Sequence, residues 1–125
     1  MPLHAGLGEA VELKVTSDDT AQAMRSGDVA VLATARLLSL IDEAACGAVN
    51  ALLGAGQTTV GMRVQIDHLA PVSVGSTVRC DVTLEKVEGR RLTFTATVTD
   101  GSGLVAAGRV TRVIVEVDRF MEKAR

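Results

Sequence analysis

The sequence predicts an α+β fold, in which one long helix packs against an antiparallel sheet of about five strands. Apolar residues recur at spacings of three and four over residues 31–53, which is typical of a helix. Before and after that segment, apolar and polar residues alternate, which is typical of strands with one buried face. A curved sheet wrapped around a single, nearly all-apolar helix would bury both.

The elements are expected to follow one another without repeats or linkers, so residues 1–125 form a single domain. Glycines at 54 and 56 end the helix, and Gly89 and Gly101 lie in tight turns between strands. The four strands after the helix are expected to form an antiparallel meander. The predicted elements are a strand over 8–16, a helical turn or ordered loop over 17–28, the helix over 31–53, strands over 60–68, 77–87, 91–99 and 104–117, and a charged, helical tail over 118–125.

Composition excludes several classes of function. The chain is 47% hydrophobic and 22% charged, which is typical of a globular protein. Its net charge of −2 and its lack of Trp and Tyr argue against binding to nucleic acid. Cys46 and Cys80 are too few for a disulfide framework and too far apart for a metal motif, so we interpret them as small buried hydrophobic residues. Neither a signal peptide nor a membrane span is recognisable, which predicts a cytoplasmic protein.

Polar residues within otherwise apolar patterns are the candidates for chemistry. Thr34 lies at the start of the helical pattern, where it could equally cap the helix. Asp42 and Glu43 interrupt the apolar run within the helix, and one of the two is expected to face water. His68 ends the strand after the helix, where it could be a general base or a buried structural histidine.

The alternation along the strand over 60–68 predicts which residues lie on the same face as His68. The face expected to cover the helix carries Val60, Met62, Val64, Ile66 and His68. The opposite face is expected to carry Gly61, Arg63, Gln65 and Asp67. On this interpretation the imidazole lies at the edge of an apolar pocket next to the helix.

Four segments together resemble the fluoroacetyl-CoA-thioesterase-like branch of the hotdog thioesterases. They cover nearly the whole chain in register: VLAT at 31–34, LIDEAA at 40–45, GMRVQIDHLA at 61–70 and VEGRRL at 87–92. The resemblance implies a hotdog fold, with one long central helix wrapped by a curved antiparallel sheet. It also implies hydrolysis of an acyl-CoA thioester with a small acyl group to a carboxylate and CoA, without a metal or cofactor.

The resemblance implies a role for particular residues. The family's Thr falls at Thr34 and its His at His68, and its acid falls at Asp42, where the family usually has Glu; Glu43 is the second choice. Its Gly and Arg fall at Gly61 and Arg112, for binding of the oxyanion or the substrate. The family's aromatic gate, associated with selectivity for fluoroacetyl-CoA, has no counterpart before Thr34. A non-catalytic module that binds acyl-CoA or another small ligand is the alternative, and a hotdog hydratase is less favoured because Asp67 and His68 point to opposite faces.

Helix geometry limits how these residues can meet. If Thr34 and Asp42 are on one helix, eight residues separate them by about 12 Å along its axis. Either Thr34 then precedes the helix, or the site combines groups from two subunits. Hotdog proteins resemble the second case, since they pair side by side with sites at the seam. We therefore expect a homodimer, or a higher assembly of dimers, that binds neither nucleic acid nor membrane.

Overall fold

A computed structural model of the chain describes residues 3–124. Met1 and Pro2 of the N-terminal segment, and Arg125 of the predicted tail, lie outside the described residues. The strands are β1 (Gly8–Lys14), β2 (Gln57–His68), β3 (Thr77–Glu88), β4 (Arg91–Asp100) and β5 (Gly103–Glu116), and the helices are α1 (Thr34–Val49) and α2 (Val117–Lys123). Short 3-10 turns cover Ser17–Asp19 and Asn50–Leu52. The predicted α+β class and the five strands are confirmed.

The five strands form one antiparallel sheet in the order β1-β3-β4-β5-β2. The predicted meander is confirmed for β3, β4 and β5, which are joined by tight turns at Gly89 (φ 63°) and Gly101. It is wrong for β2, which pairs with β5 at the far edge instead of with β3. The connection from Leu69 to Ser76 is too long for a tight hairpin and contains Pro71. It lets the chain pass from the β2 edge of the sheet to the position of β3, beyond β5 and β4.

Helix α1 lies on one face of the sheet and begins later than predicted. Val31 and Leu32 pair with Ser73 and Thr20 in isolated bridges, so the helix starts at Thr34, and its last turn tightens into the 3-10 turn. Its fully buried residues face the sheet: Leu37, Leu40, Ile41, Ala44, Ala45 and Val49. Its opposite side is exposed at Ser39, Glu43 and Gly47. Within one chain, therefore, the sheet covers one side of the helix and leaves the opposite side exposed.

A β-bulge in β2 changes the predicted faces of this strand. The register with β5 shifts between Gly61 and Arg63, so Met62 has no partner across the strands. Val64 pairs with Val110, which is buried in the core, and His68 pairs with buried Ala106. Opposed residues of an antiparallel pair point to the same face, so Val64, Ile66 and His68 face the helix as predicted.

On the N-terminal side of the bulge, the predicted faces are wrong. Gly61 pairs with Arg112, two residues after Val110, so Gly61 faces the helix. Val60 pairs with Val113 and points to the outer face. The extra residue at the bulge exchanges the two faces, and period-two counting from His68 cannot detect it.

Strand β2 is an edge strand with an apolar surface. Met62 is 49% exposed and Val64 is 36% exposed. The paired edge of β2 lies very close to β5 at Gly108. A Cβ on Gly108 would overlap the carbonyl oxygen of Gln65 and approach Ile66 Cδ1 to 2.6 Å. An open, apolar edge of this length is a surface on which another strand can pair. No helix within residues 3–124 has the length and hydropathy needed to cross a membrane.

Candidate active site

Thr34 and His68 are brought together by the start of α1 and the end of β2. The hydroxyl oxygen Oγ1 of Thr34 lies 2.8 Å from Nδ1 of His68. Thr34 is the first helical residue and is exposed, whereas the residue at the N-cap is Ala33, whose side chain makes no capping hydrogen bond. The alternative that Thr34 caps the helix is therefore wrong, and its hydroxyl contacts the histidine.

The imidazole of His68 is bonded on one side alone. Its other nitrogen, Nε2, is buried and has no hydrogen-bond partner among residues 3–124. A buried polar atom without a partner is costly, and functional sites are places where such costs persist. The ring thus directs Nδ1, its one bonded nitrogen, towards the Thr34 hydroxyl.

The Thr34–His68 pair lies in the wall of a cavity of about 360 Å³. The rest of the wall is mostly apolar and comes from the segment before α1 and the segment after β2. Its apolar members include Val29, Val31 and Leu69, and Val29 and Leu69 are 60% and 59% exposed. The pocket has room for a short acyl group beside a hydroxyl and an imidazole. It differs from the expected pocket, because the apolar strand residues before His68 do not line it.

A second polar cluster lies further along α1. Arg112 of β5 is 7% exposed, and its Nη1 donates to Asp42 Oδ1 at 2.7 Å. Its Nε donates to Thr59 Oγ1 at 3.0 Å, and its Nη2 donates to the Thr59 carbonyl oxygen at 2.8 Å. Nη1 also lies 3.6 Å from the position a Cβ on Gly61 would take. Asp42, Arg112 and Gly61 are therefore neighbours.

Thr59 is the member of this cluster that the sequence did not indicate. It is 4% exposed and accepts two of the three hydrogen bonds of Arg112. The alternation counted from His68 assigns Thr59 to the outer face, because the bulge is invisible in the sequence. A threonine next to β-branched Val60 is also ordinary strand composition.

Glu43, the second choice for the acid, points elsewhere. It is exposed, and its negative charge acts on Cys80 of β3, on the side of α1 away from β2. Burial, with smaller contributions from Asp81 and Glu43, raises the pKa of the Cys80 thiol to about 12. Cys80 is therefore the inert, buried residue predicted, whereas Cys46 is half-buried.

The two polar clusters do not meet within one chain. Thr34 and Asp42 both lie in the continuous helix α1, so eight residues separate them by about 12 Å along the axis. The carboxylate of Asp42 binds Arg112, and His68 binds Thr34. Within residues 3–124, no group of three His, Cys, Asp or Glu side chains is placed to hold a metal ion.

The threonine–histidine pair beside an apolar pocket can be compared with known proteins. The family pattern described as fluoroacetyl-CoA-specific thioesterase matches residues 15–118. The chain belongs to this family. As a member of the fluoroacetyl-CoA-specific thioesterase family, it is a thioester hydrolase.

A sequence relative supports this placement, and two solved structures share the fold. The fluoroacetyl-CoA thioesterase of Streptantibioticus cattleyicolor is 30% identical over 95 residues, covering 76% of this chain and 68% of that protein. A structure of the fluoroacetyl-CoA thioesterase FlK has a TM-score of 0.95 at 24% identity, covering 100% of this chain and 97% of that one. A hot-dog-like protein from Thermanaerovibrio acidaminovorans has a TM-score of 0.88 at 28% identity, covering 95% and 88%. The predicted hotdog fold is confirmed.

Proposed function

We propose that the protein hydrolyses short-chain acyl-CoA thioesters at a site assembled from two subunits. One subunit would supply Thr34 and His68, and the other would supply Asp42, Gly61 and Arg112. The observation that carries this proposal is the separation of two polar clusters along one helix, by about 12 Å. The Thr34–His68 cluster lacks a carboxylate and an oxyanion donor, and the Asp42 cluster lacks a general base.

The free edge of β2 supports the pairing of two subunits. Two copies of β2 that pair antiparallel about Val64 would continue the sheet across the dimer and cover the exposed side chains of Met62 and Val64. Val64 lies near the middle of the stretch from Gly61 to His68. Such a pairing would therefore bring Gly61 of one subunit towards His68 of the partner subunit.

His68 is suited to act as the general base. Its Nδ1, 2.8 Å from the Thr34 hydroxyl, can accept a proton from that hydroxyl or from a water molecule that the hydroxyl holds. The oxygen attacks the thioester carbonyl carbon, the carbon–sulfur bond breaks, and the CoA thiolate leaves and takes up a proton. If Thr34 is the attacking group, a water molecule then hydrolyses the acyl-threonine ester; if it holds water, the carboxylate forms directly.

The other cluster is suited to stabilise charge. Gly61 has no side chain to block the approach of the thioester oxygen to the backbone. Asp42 would orient the imidazolium or the water from across the seam. Arg112 gives all three nitrogens to Asp42 and Thr59, so we assign it a positioning role: it fixes the carboxylate of Asp42.

A thiol-release assay with short, branched and aromatic acyl-CoAs tests the activity directly. We expect turnover of short acyl groups by a dimeric protein, because the cavity beside His68 is small and the site needs both subunits. Light scattering at micromolar concentration measures the assembly. A single species of 13 kDa that still hydrolyses the thioester would contradict the shared site. A cytoplasmic location stays a prediction.

Isosteric changes at the two neighbouring acids test which one is functional. We expect Asp42→Asn to lower turnover about a hundredfold, as loss of one preorganised electrostatic partner does. Its cost in the free energy of unfolding should be about 1 kcal/mol, because the Asp42 side chain is 39% exposed and solvent screens its pair with Arg112. Glu43→Gln is the matched control and should leave both quantities unchanged. A damaging Glu43→Gln beside a silent Asp42→Asn would assign the role to Glu43.

A further inference from the structure

Asp19 is the one carboxylate that is buried within residues 3–124, and the chemistry proposed above makes no use of it. The residue is 8% exposed and lies in the short 3-10 turn between β1 and the segment that leads to α1. A buried carboxylate stays ionised where hydrogen-bond donors and a cation replace the water that it has lost. The partners of Asp19 therefore indicate what its charge stabilises.

Both carboxylate oxygens of Asp19 accept hydrogen bonds. Oδ2 accepts the backbone N–H of Thr16 at 2.8 Å and the Thr16 hydroxyl at 3.0 Å. Oδ1 accepts the Nε–H of Arg36 at 3.0 Å. Burial alone would raise the pKa of the Asp19 carboxyl, but the bonds from Thr16 and Arg36 together hold the pKa below its ordinary value. The carboxylate is therefore charged at neutral pH and connects the segment after β1 to the first turn of α1.

The backbone of Asp19 holds α1 at a second point. Its carbonyl oxygen accepts the N–H of Ala33 at 2.9 Å. Ala33 is the N-cap of α1 and Arg36 belongs to the first turn, so the two bonds fix the chain on either side of Thr34. A displacement of Asp19 would therefore reach Thr34 through both of its neighbouring segments.

Helix α1 lacks the usual local features that fix a helix start. The side chain of Ala33 has no oxygen that could cap the first turn, and that turn contains no acidic residue. Arg36 places a positive charge near the positive end of the helix dipole, where a cation is unfavourable. The ion pair with Asp19 compensates for this charge. The direction of the first turn, and with it the position of the Thr34 hydroxyl, therefore depends in part on Asp19.

We propose that Asp19 is a positioning residue for thioester hydrolysis, which fixes the start of α1 so that the Thr34 hydroxyl lies 2.8 Å from His68 Nδ1. The inference rests on the proposed function, since it concerns the placement of Thr34. Asp19 does not line the cavity beside His68, so its effect on the reaction passes through Thr34. Small displacements matter here, because misplacing a reacting group by about 1 Å can cost a hundredfold in rate.

Asp19→Asn tests the proposal by steady-state thiol release from a short acyl-CoA. The amide keeps the size of the carboxylate but loses its charge and one of its two acceptor oxygens. We expect kcat per folded protein to fall about tenfold while KM stays nearly unchanged, because Thr34 is misplaced and the substrate contacts are kept. Circular dichroism measures the folded fraction that corrects each rate. An unchanged kcat, or a loss that this correction removes, would overturn the proposal.

Two further variants separate positioning from general stabilisation. Asp81→Asn is the matched control: it breaks an exposed pair with Arg79 Nε, at 3.1 Å, whose residues do not line the cavity, and it should leave kcat unchanged. Arg36→Gln keeps both Thr16 bonds of Asp19, so it should fold even if Asp19→Asn does not, and it should lower kcat several-fold. An unchanged kcat in Arg36→Gln would also count against the proposal. The double variant should be no slower than Asp19→Asn, whereas losses that multiply would contradict a shared pair.

Nuclear magnetic resonance decides the positioning role independently of activity. The nitrogen resonance of His68 Nδ1 reports its hydrogen bond with Thr34, so Asp19→Asn should shift it and Asp81→Asn should not. If the native protein hydrolyses no thioester, the proposed function fails, and this resonance still tests the inference. A shift confined to Asp19→Asn supports the positioning role, and an unmoved resonance overturns it.

Discussion

Replacing His68 with Gln is expected to lower thioester turnover about a hundredfold or more, the usual scale for loss of a general base. The amide of Gln can keep a hydrogen bond to Thr34 Oγ1, which lies 2.8 Å from Nδ1 in the native protein, but it cannot accept a proton at neutral pH. His68→Ala should be at least as inactive. Thiol release at saturating acyl-CoA measures the loss.

Stability measurements separate this result from misfolding. His68→Gln should remain folded and dimeric, because Nε2 makes no hydrogen bond within residues 3–124 that the substitution would break. A folded His68→Gln dimer with a near-native rate would show that the histidine is structural.

Mixing two inactive variants should restore activity, which is the second large effect. A heterodimer of His68→Gln and Asp42→Asn contains one site with both changes and one site with neither, provided that each site takes its histidine and its carboxylate from different subunits. With random exchange, half of the dimers are mixed and half of their sites are intact, so about a quarter of native activity should return.

The same mixture distinguishes a shared site from a site within one chain. If His68 and Asp42 acted within a single subunit, every site in the mixture would carry one of the two changes and no activity would return. Co-unfolding and refolding of equal amounts, followed by thiol release, gives the measurement. The control is His68→Gln mixed with Thr34→Ala, which should restore nothing because both residues lie in the same half-site.

Much of the fold and part of the site could be predicted from local patterns. The helical spacing from Leu37 to Ala48 and the alternation from Val64 to His68 depend on burial against one core, so they are visible in the sequence. The pairing of β2 with β5 is not visible, because no residue within β2 specifies which neighbour accepts its hydrogen bonds. Topology here is decided by the length of the segment after His68 and by the two tight turns further on.

The composition of the second cluster was harder to predict. The resemblance indicated Asp42, Gly61 and Arg112, but alternation assigned Gly61 to the wrong face, and Thr59 was missed. Both errors have one cause. A single unpaired residue at the bulge changes the phase of the strand, and the sequence around Met62 has no feature that reveals it.

The bulge divides β2 into two halves whose side-chain phases are independent. The half before it directs Thr59 and Gly61 towards Arg112, and the half after it directs Ile66 and His68 towards the Thr34 cavity. If two subunits pair along this strand, each of the two active sites is built from the first half of one strand and the second half of the other. The extra residue Met62 then lets one strand supply side chains to two active sites. A substitution in one half of β2 can change the side chains that it supplies to one site, while the side chains of the other half keep their direction.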